Sequence, residues 1–355
     1  MAASNCLTIS LAALTANYRQ LQAAAQGEVA AVVKADGYGL GAPAVAGHLA
    51  SIGCREFFVA TAAEGQRLRR QLQDAVIYVL EGVLPESLPL LVQARLIPIL
   101  NSSDQAELWG DQTLPAGLHL DTGMQRLGMD AVQALTVLAK CNVTLLMTHL
   151  SRADEPANAF NALQVERFQA QATQLLNAAA EPRKIRLSVC NSAGMLQGFG
   201  PEHVGRAGIA LYGGNPFSEL ANPMHPVVSL TAQILQTRHV EEATPVGYGG
   251  TYVTSQPRRL ATLAAGYADG VPRLLSNLGR VWAQQRYFPV VGRVSMDMLH
   301  IDVTDAPELQ PGDWMEVMGP HVSIDEVAGH AQTISYEVLT GLRPRGDCLW
   351  VERLL

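Results

Sequence analysis

Short apolar runs alternate with longer stretches of helical periodicity from residue 29 to about residue 213. Eight of these runs are rich in strand-forming residues, at 29–33, 56–60, 76–80, 96–100, 117–121, 143–150, 185–190 and 208–213. Stretches in which apolar residues recur every three or four positions separate them, and another precedes the first run, with Leu11, Leu14, Tyr18 and Leu21 on one face. This alternation is typical of a parallel sheet wrapped by helices, and eight repeats predict a (β/α)8 barrel.

The pattern changes after a segment rich in proline and asparagine at residues 215–226. Strand-like runs then follow one another without crossover helices, at 227–240, 259–268, 286–294, 298–304, 313–319 and 348–355. The sequence therefore predicts an α/β protein with two domains. Residues 1–223 are expected to form a TIM-type barrel, and residues 224–355 a C-terminal, mainly β domain.

Composition excludes several classes of partner. The chain has 355 residues, 48% of them hydrophobic, and a net charge of -7, so it can bury a large core but has no overall attraction for nucleic acid. The first segment has no basic region, and no apolar run approaches the roughly 18 residues of a membrane span. Five cysteines without a CxxC pair suit reduced thiols rather than disulfides or a metal site. We expect a cytoplasmic protein without a metal or a membrane partner.

Polar residues gather where the predicted barrel strands end. Catalytic groups in such barrels lie at the carboxyl ends of the strands. Lys34 ends the first strand, in "AVVKADGYGLG". The other polar residues at these ends are His149 after the sixth strand, Asn191 and Ser192 after the seventh, and Arg206 with Gly208 at the eighth.

A lysine beside a phosphate site indicates pyridoxal phosphate. The segment "NSAG" at 191–194 offers a hydroxyl and backbone amides at the start of a helical stretch, as anion binding requires. Burial at the end of an apolar strand lowers the pKa of an amine and keeps it nucleophilic. The glycines after Lys34 allow a tight turn that leaves Tyr38 facing the phosphate. Taken singly, Lys34 fits a solvated loop, His149 a hydrogen-bonded residue and "NSAG" a helix start; together they favour the cofactor.

The motifs "AVVKADGYGLG", "LDTGMQRLG", "MTHLSRADE", "GRAGIALYGG", "VGYGGTY", "AAGYADGVPR", "GRVSMDM" and "ISYEVLTGL" closely resemble those of the alanine racemases. The resemblance runs nearly from end to end. It implies a pyridoxal 5'-phosphate enzyme of fold type III, with a (β/α)8 barrel and a C-terminal β domain. It also implies a head-to-tail homodimer in which each C-terminal domain completes the partner subunit's active site.

The resemblance also implies the roles of individual residues. Lys34 would bind the cofactor and take the proton from D-alanine, and Tyr248, supplied by the partner subunit, would take it from L-alanine. Arg206 would bind the pyridine nitrogen, and His149 would link it to Tyr248. The phosphate would be bound by Tyr38, Ser192, Gly208, Ile209 and Tyr336, beside Asn191. Substrate would meet Arg126, the Met296 amide and the entrance residue Tyr267.

Three positions depart from the family pattern. His119 stands where the family commonly has a carbamylated lysine that holds Arg126 in place. Either His119 orients Arg126 differently, with an anion between them if both are cationic, or the contact to the substrate carboxylate is weaker. We expect no carbamate there. Ser10 and Ala207 replace a frequent aspartate and a proline, which we regard as local changes.

The function predicted is the interconversion of L-alanine and D-alanine, to supply peptidoglycan synthesis or to catabolise alanine. The sequence does not separate these two roles. One alternative is a broader racemase that accepts serine or another small amino acid, because His119 lies near the carboxylate-binding arginine. Another is a non-catalytic cofactor-binding barrel, which would lack the β domain and Tyr248.

Overall fold

The computed structural model describes residues 4–110, 113–199, 203–343 and 345–354. These residues form two compact units. The barrel unit comprises Thr15–Leu211 and Asn215–Pro223, and the β unit comprises the remainder. Among the described residues, no helix has both the length and the apolar character needed to cross a bilayer.

The first part of the chain alternates strands with helices. Its elements are β1 (Asn5–Ser10), α1 (Leu11–Ala24), β2 (Glu28–Val32), α2 (Lys34–Tyr38), α3 (Ala42–Ser51), β3 (Glu56–Val59), α4 (Ala62–Gln71), β4 (Val76–Val79), α5 (Leu88–Gln93), β5 (Ile97–Leu100), α6 (Ser103–Trp109), β6 (Ala116–His119), α7 (Ala131–Leu138), β7 (Val143–Met147), α8 (Ala159–Ala178), β8 (Arg186–Ser188), α9 (Ser192–Gln197) and β9 (Val204–Ala207). Strands β2 to β9 form one parallel sheet in the order β8-β7-β6-β5-β4-β3-β2-β9.

The sheet closes into a barrel through irregular pairing of its two end strands. The amide of His203 donates to the Leu187 carbonyl at 2.9 Å, and the amide of Arg206 donates to the Cys190 carbonyl at 3.0 Å. The strands are short and almost entirely buried, which matches their near-continuous apolar sequences. The predicted α/β barrel is confirmed.

Seven of the eight predicted barrel strands coincide with observed strands, but the eighth was wrong. The apolar run at 208–213 does not pair; Ile209–Tyr212 forms a 3-10 helix, and the eighth strand is β9. The amide of Gly208 donates to the Ser192 hydroxyl at 2.9 Å rather than to a neighbouring strand. The true strand, β9, was not predicted because Arg206 interrupts the apolar pattern of its short sequence, "VGRA".

The second part of the chain is mainly β. Its elements are β10 (Val228–Val240), β11 (Pro245–Val246), β12 (Tyr252–Val253), β13 (Arg258–Leu263), β14 (Arg280–Ala283), β15 (Arg286–Pro289), β16 (Leu299–Asp302), β17 (Trp314–Met318), α10 (Ile324–His330), α11 (Ser335–Gly341) and β18 (Asp347–Val351). The main sheet has the order β15-β14-β17-β10-β1-β18, and β13 joins β10 to β16. Each of the six predicted runs coincides with a strand here.

Strand β1 belongs to this second sheet, although it lies at the start of the chain. It pairs antiparallel with β10, with Leu7 opposite Leu230, and parallel with β18, with Leu7 opposite Cys348. Residues 1–223 were predicted to form the barrel domain, and no strand was predicted before the first helix. Five of the six residues of β1 are buried and only Thr8 is half-buried, so no alternation marks this strand in the sequence.

Candidate active site

The barrel unit brings together five of the predicted site residues at the carboxyl ends of its strands. Lys34 lies two residues after β2, His149 lies two residues after β7, and Arg206 lies within β9. Asn191 and Ser192 form the N-cap and first residue of α9, which follows β8. His119, the departure from the family pattern, is the last residue of β6. Parallel strands end on one face of a barrel, so these side chains face one mouth.

Lys34 has the properties of a nucleophilic amine. Burial lowers its pKa, and the cations of Arg126 and Arg206 lower it further, while Glu64 acts in the opposite direction. An ammonium is disfavoured in a site that is both desolvated and positively charged. These effects increase the fraction of the neutral amine, which is the form that reacts with an aldehyde.

The backbone after Lys34 is left-handed for five residues, 35–39. Ala35, Asp36, Gly37 and Tyr38 have φ values of 52°, 54°, 65° and 57°. Non-glycine residues in this region cost roughly 1–2 kcal/mol each, so the turn must be held by its surroundings.

Two carboxylates hold this turn. The Ala35 amide donates to Glu64 Oε1 at 2.8 Å, and the Ala42 amide donates to Asp36 Oδ1 at 2.9 Å. The second oxygen of Glu64 accepts from the Ala60 amide at 2.7 Å, and Thr61 caps α4 together with Glu64. Glu64 thus joins the start of α4 to the residue that follows Lys34. Sequence reasoning missed Glu64, although the capping-box spacing "TAAE" marks it as the start of a helix.

Arg206 is buried and bonds to neutral groups of the barrel interior. Nη1 donates to the Ser188 hydroxyl at 2.6 Å, and Nη2 donates to the Thr148 carbonyl at 2.6 Å and contacts His149 Nδ1 at 3.3 Å. Because a guanidinium can only donate, His149 Nδ1 is the acceptor and carries no proton. Burial and Arg206 hold the pKa of His149 well below its usual range. His149 is therefore neutral, with its proton on Nε2.

His119 is also neutral, and its tautomer can be assigned. Asn101 Nδ2 donates to the carbonyls of Leu80 at 3.0 Å and Ile99 at 2.9 Å, which directs Asn101 Oδ1 towards His119 Nδ1, 2.9 Å away. His119 Nδ1 must then donate, which leaves a lone pair on Nε2. Burial, Arg206 and Arg126 lower the pKa of His119 to about 4. A cationic His119 with an anion between it and Arg126 is therefore disfavoured at neutral pH.

A small polar corner lies beside Gly208. The Ser192 hydroxyl accepts from the Gly208 amide, and Asn191 Oδ1 accepts from the Gly194 amide at 3.0 Å. A Cβ on Gly208 would lie 2.6 Å from the Tyr38 hydroxyl. Glycine therefore keeps open a corner that carries two hydroxyl groups, which suits the oxygens of a phosphate. Ile209 follows directly and is buried.

The remaining predicted residues are exposed in this chain. Tyr248 begins a short 3-10 turn and is 72% exposed, and Met296 is 52% exposed. Tyr267 and Tyr336 are also exposed, and all four belong to the β unit. Arg126 is exposed in the barrel unit. Of these five residues, only Arg126 belongs to the barrel unit, where its charge acts on Lys34, His119 and His149.

Comparison with known proteins decides the family. The model of the alanine racemase N-terminal domain matches residues 9–216, and that of the alanine racemase C-terminal domain matches residues 227–349. The chain belongs to the alanine racemase family. The family and the fold class predicted from the sequence are thereby confirmed.

Individual alanine racemases are similar along nearly the whole chain. An alanine racemase of Acidiphilium cryptum is 46% identical over 352 residues, which cover 96% of each protein. A catabolic alanine racemase of Rhizobium johnstonii is 43% identical, covering 97% of this chain and 94% of the relative. The crystal structure of the Bartonella henselae alanine racemase, with covalently bound pyridoxal phosphate, superposes with a TM-score of 0.90 at 35% identity, covering 98% of this chain and all of that one.

Proposed function

We propose that this chain racemises alanine with two bases, Lys34 and Tyr248, on opposite faces of the bound cofactor. The reaction and the cofactor are those of the family: the chain is a pyridoxal 5'-phosphate-dependent isomerase that interconverts L-alanine and D-alanine. Both were predicted from the sequence and are confirmed. The assignment of residues is the proposal, and its main support is the pKa of Lys34, which burial and the cations of Arg126 and Arg206 lower.

The residues of the barrel mouth fit the cofactor. The hydroxyls of Tyr38 and Ser192 beside Gly208 supply the kind of donors that a phosphate requires. We infer that the phosphate is bound by Tyr38, Asn191, Ser192, Gly208, Ile209 and Tyr336. When bound, pyridoxal phosphate supplies an electron sink that weakens the Cα–H bond of the amino acid.

Arg206 would control the strength of that sink. We infer that Arg206 donates to the pyridine nitrogen. A guanidinium, whose pKa is above about 12, does not surrender its proton, so the ring nitrogen stays unprotonated. A weaker sink shortens the life of negative charge at Cα and so limits side reactions.

Racemisation needs a proton removed from one face of Cα and returned on the other. Lys34 takes the proton from D-alanine, and the partner subunit's Tyr248 takes it from L-alanine. A phenol with an ordinary pKa near 10 is a poor base at neutral pH. His149 carries its proton on Nε2, and we infer that this N–H donates to the partner subunit's Tyr248 and favours the phenolate.

The two-base assignment requires a dimer. Tyr248, Tyr267, Met296 and Tyr336 are large side chains that are 40% to 72% exposed in the isolated chain. Aromatic residues and methionine are enriched where protein chains meet. We propose a head-to-tail homodimer in which residues 224–355 of one subunit lie over the barrel mouth, within residues 1–223, of the other. Arg126 and the partner subunit's Met296 amide would then bind the alanine carboxylate, beside the partner subunit's Tyr267.

We place this enzyme in the cytoplasm, where it supplies D-alanine for peptidoglycan or degrades alanine. The absence of a membrane-spanning candidate among the described helices and the acidic net charge are compatible with that location. One similar protein carries the description catabolic, whereas others are called alanine racemase only.

The test is chiral analysis of the holoenzyme incubated with L-alanine or with L-serine. We expect D-alanine to accumulate until the two isomers are equal, and serine to react more slowly. Equal or faster conversion of serine would establish the broader racemase instead. A cofactor-loaded protein that forms neither D-amino acid would contradict the proposal.

A further inference from the structure

Three segments of the β unit meet at one arginine, Arg345. Its Nε donates to Asp269 Oδ1 at 3.0 Å and its Nη2 to Asp269 Oδ2 at 3.1 Å. Its Nη1 donates to Asp297 Oδ1 at 2.6 Å. Asp269 lies in the turn at 266–270, and Asp297 lies in the loop at 295–298. One guanidinium therefore bridges a turn, a loop and the segment that leads into β18.

The carboxylate of Asp269 is fully buried, and both of its oxygens accept hydrogen bonds. Besides Arg345, the Gly266 amide donates to Oδ2 at 3.0 Å, and the Arg345 amide donates to Oδ1 at 3.3 Å. These bonds outweigh desolvation and lower the pKa of Asp269. A buried carboxylate remains ionised only where its charge is compensated. Arg345 thus fixes the conformation of the turn by pairing with the buried Asp269 carboxylate that the turn carries.

The turn and the loop carry the two residues that face the substrate in the proposed function. The Tyr267 amide donates to the Ser295 carbonyl at 3.0 Å, and the Ala268 amide donates to the Met296 carbonyl at 3.0 Å. A Cβ on Gly266 would lie 2.3 Å from the Met296 carbonyl oxygen, so the two backbones touch. The positions of Tyr267 and Met296 are therefore set together.

We propose that Arg345 is a positioning residue that fixes the spacing of Tyr267 and Met296 by bridging Asp269 and Asp297, and so sets the size of side chain that the enzyme accepts. This inference rests on the proposed function, in which Tyr267 and the Met296 amide meet the substrate. The Arg345 and Asp297 side chains are each 51% exposed. This exposed half of the bridge therefore stabilises the fold little and acts mainly on geometry, whereas loss of Arg345 also leaves the buried Asp269 carboxylate unpaired and lowers the melting temperature.

The test compares holoenzymes carrying Arg345→Ala, Arg345→Lys and Asp297→Asn with wild type. The control is Arg286→Lys, which alters an ion pair with Glu308 elsewhere in the β unit. We expect Arg345→Ala to raise KM for L-alanine about tenfold with kcat little changed, and to reduce the preference for alanine over serine by a similar factor. Arg345→Lys should recover only part of the effect, because one ammonium cannot bridge two carboxylates in the same geometry.

Asp297→Asn removes only the exposed half of the bridge and protects the test against misfolding. It should shift KM and the alanine preference in the same direction, by a smaller factor, at an unchanged melting temperature. The inference is overturned if the Arg345 and Asp297 variants match Arg286→Lys in KM and preference, or if only the melting temperature or kcat falls. Wild type that fails to racemise alanine would instead overturn the proposed function, and this inference with it.

Discussion

The two ends of the barrel surround an arginine in opposite electrostatic settings. At the end where the strands begin, Arg186 contacts the carboxylates of Glu28 and Glu56, and Glu56 also accepts from the Tyr78 hydroxyl at 3.2 Å. The pKa of Arg186 is raised there by Glu56. At the mouth, the hydrogen bonds described for Arg206 end on neutral atoms.

The difference shows in the neighbours of the mouth arginine. Arg206 lowers the pKa values of Lys34, His119 and His149, and Arg126 lowers them too. At one end carboxylates raise the pKa of the arginine, whereas at the other burial and two arginines lower the pKa values of the neighbouring groups. The first end therefore stabilises the fold, and the mouth, where shifted pKa values cluster, has the character of a functional site.

The largest effect is expected at the mouth, from Lys34→Ala. Under the proposed assignment this variant loses both the cofactor-binding amine and one base, which should reduce racemisation by about a thousandfold or more. Chiral assay measures the rate, and borohydride reduction followed by peptide mass analysis measures attachment at residue 34. Lys184→Ala, which changes an exposed lysine paired with Glu181, is the control and should behave as wild type. Activity of Lys34→Ala within tenfold of wild type would contradict the assignment.

At the opposite end, Arg186→Met should affect stability and leave the chemistry unchanged. It leaves the buried Glu56 carboxylate without its cation, and breaking such a pair lowers the free energy of unfolding by about 3–5 kcal/mol. Urea unfolding at pH 7 measures this loss, and kcat per folded molecule should not change. Arg152→Met breaks an exposed pair with Glu155 and should cost under about 1 kcal/mol. If Arg186→Met lost as little stability as Arg152→Met, the claim that the two ends of the barrel serve different roles would be contradicted.

The neutral state of His119 predicts a pH dependence of stability. The pKa of His119 is about 4 in the folded protein and about 6.5 in the unfolded chain. The unfolded chain therefore binds more protons between these pH values, and the stability that the neutral imidazole contributes to the fold, complete above pH 6.5, is lost as pH falls towards 4. The loss corresponds to roughly 3 kcal/mol. In cofactor-free protein, His119→Gln should unfold in urea with a weaker dependence on pH over this range. His239→Gln, at an exposed position, should leave the dependence unchanged. An identical dependence in both variants would argue against a buried neutral His119.

The smallest change in stability is expected for substitution of Glu64, which tests what holds the turn after Lys34 at the barrel mouth. Glu64→Ala removes the acceptor of the Ala35 amide and part of the α4 cap, at a cost of about 1–2 kcal/mol. Glu64→Gln keeps one acceptor oxygen and should cost about half as much. Urea unfolding measures both, and borohydride trapping at Lys34 shows whether the left-handed turn still presents the amine. Equal stability of Glu64→Ala and wild type would show that the turn is held by other contacts.

The sequence predicted the parts of the site that follow from the repeated strand-helix pattern. Lys34 could be placed because strand ends share one face of a barrel. The eighth strand could not, because Arg206 interrupts its apolar pattern. The tautomer of His119 depends on Asn101, 18 residues earlier, and becomes visible only when β5 and β6 pair.

The site residues of the β unit were predicted from the resemblance to the alanine racemases rather than from the pattern of apolar and polar positions. Tyr248, Tyr267 and Tyr336 lie in short turns or at the start of a short helix, where no periodicity marks them. Arg345 was not predicted at all, because its partners, Asp269 and Asp297, are 76 and 48 residues away along the chain.

The central claim, that two bases act from opposite faces, is tested most directly by hydrogen exchange in D2O with Tyr248→Phe holoenzyme. Proton NMR follows the loss of the α-hydrogen from D-alanine and from L-alanine separately. We predict that D-alanine still exchanges through Lys34 without forming L-alanine, and that L-alanine exchanges about a hundredfold or more slowly than with wild type. Racemisation at the wild-type rate, or equal exchange of both isomers, would contradict the account.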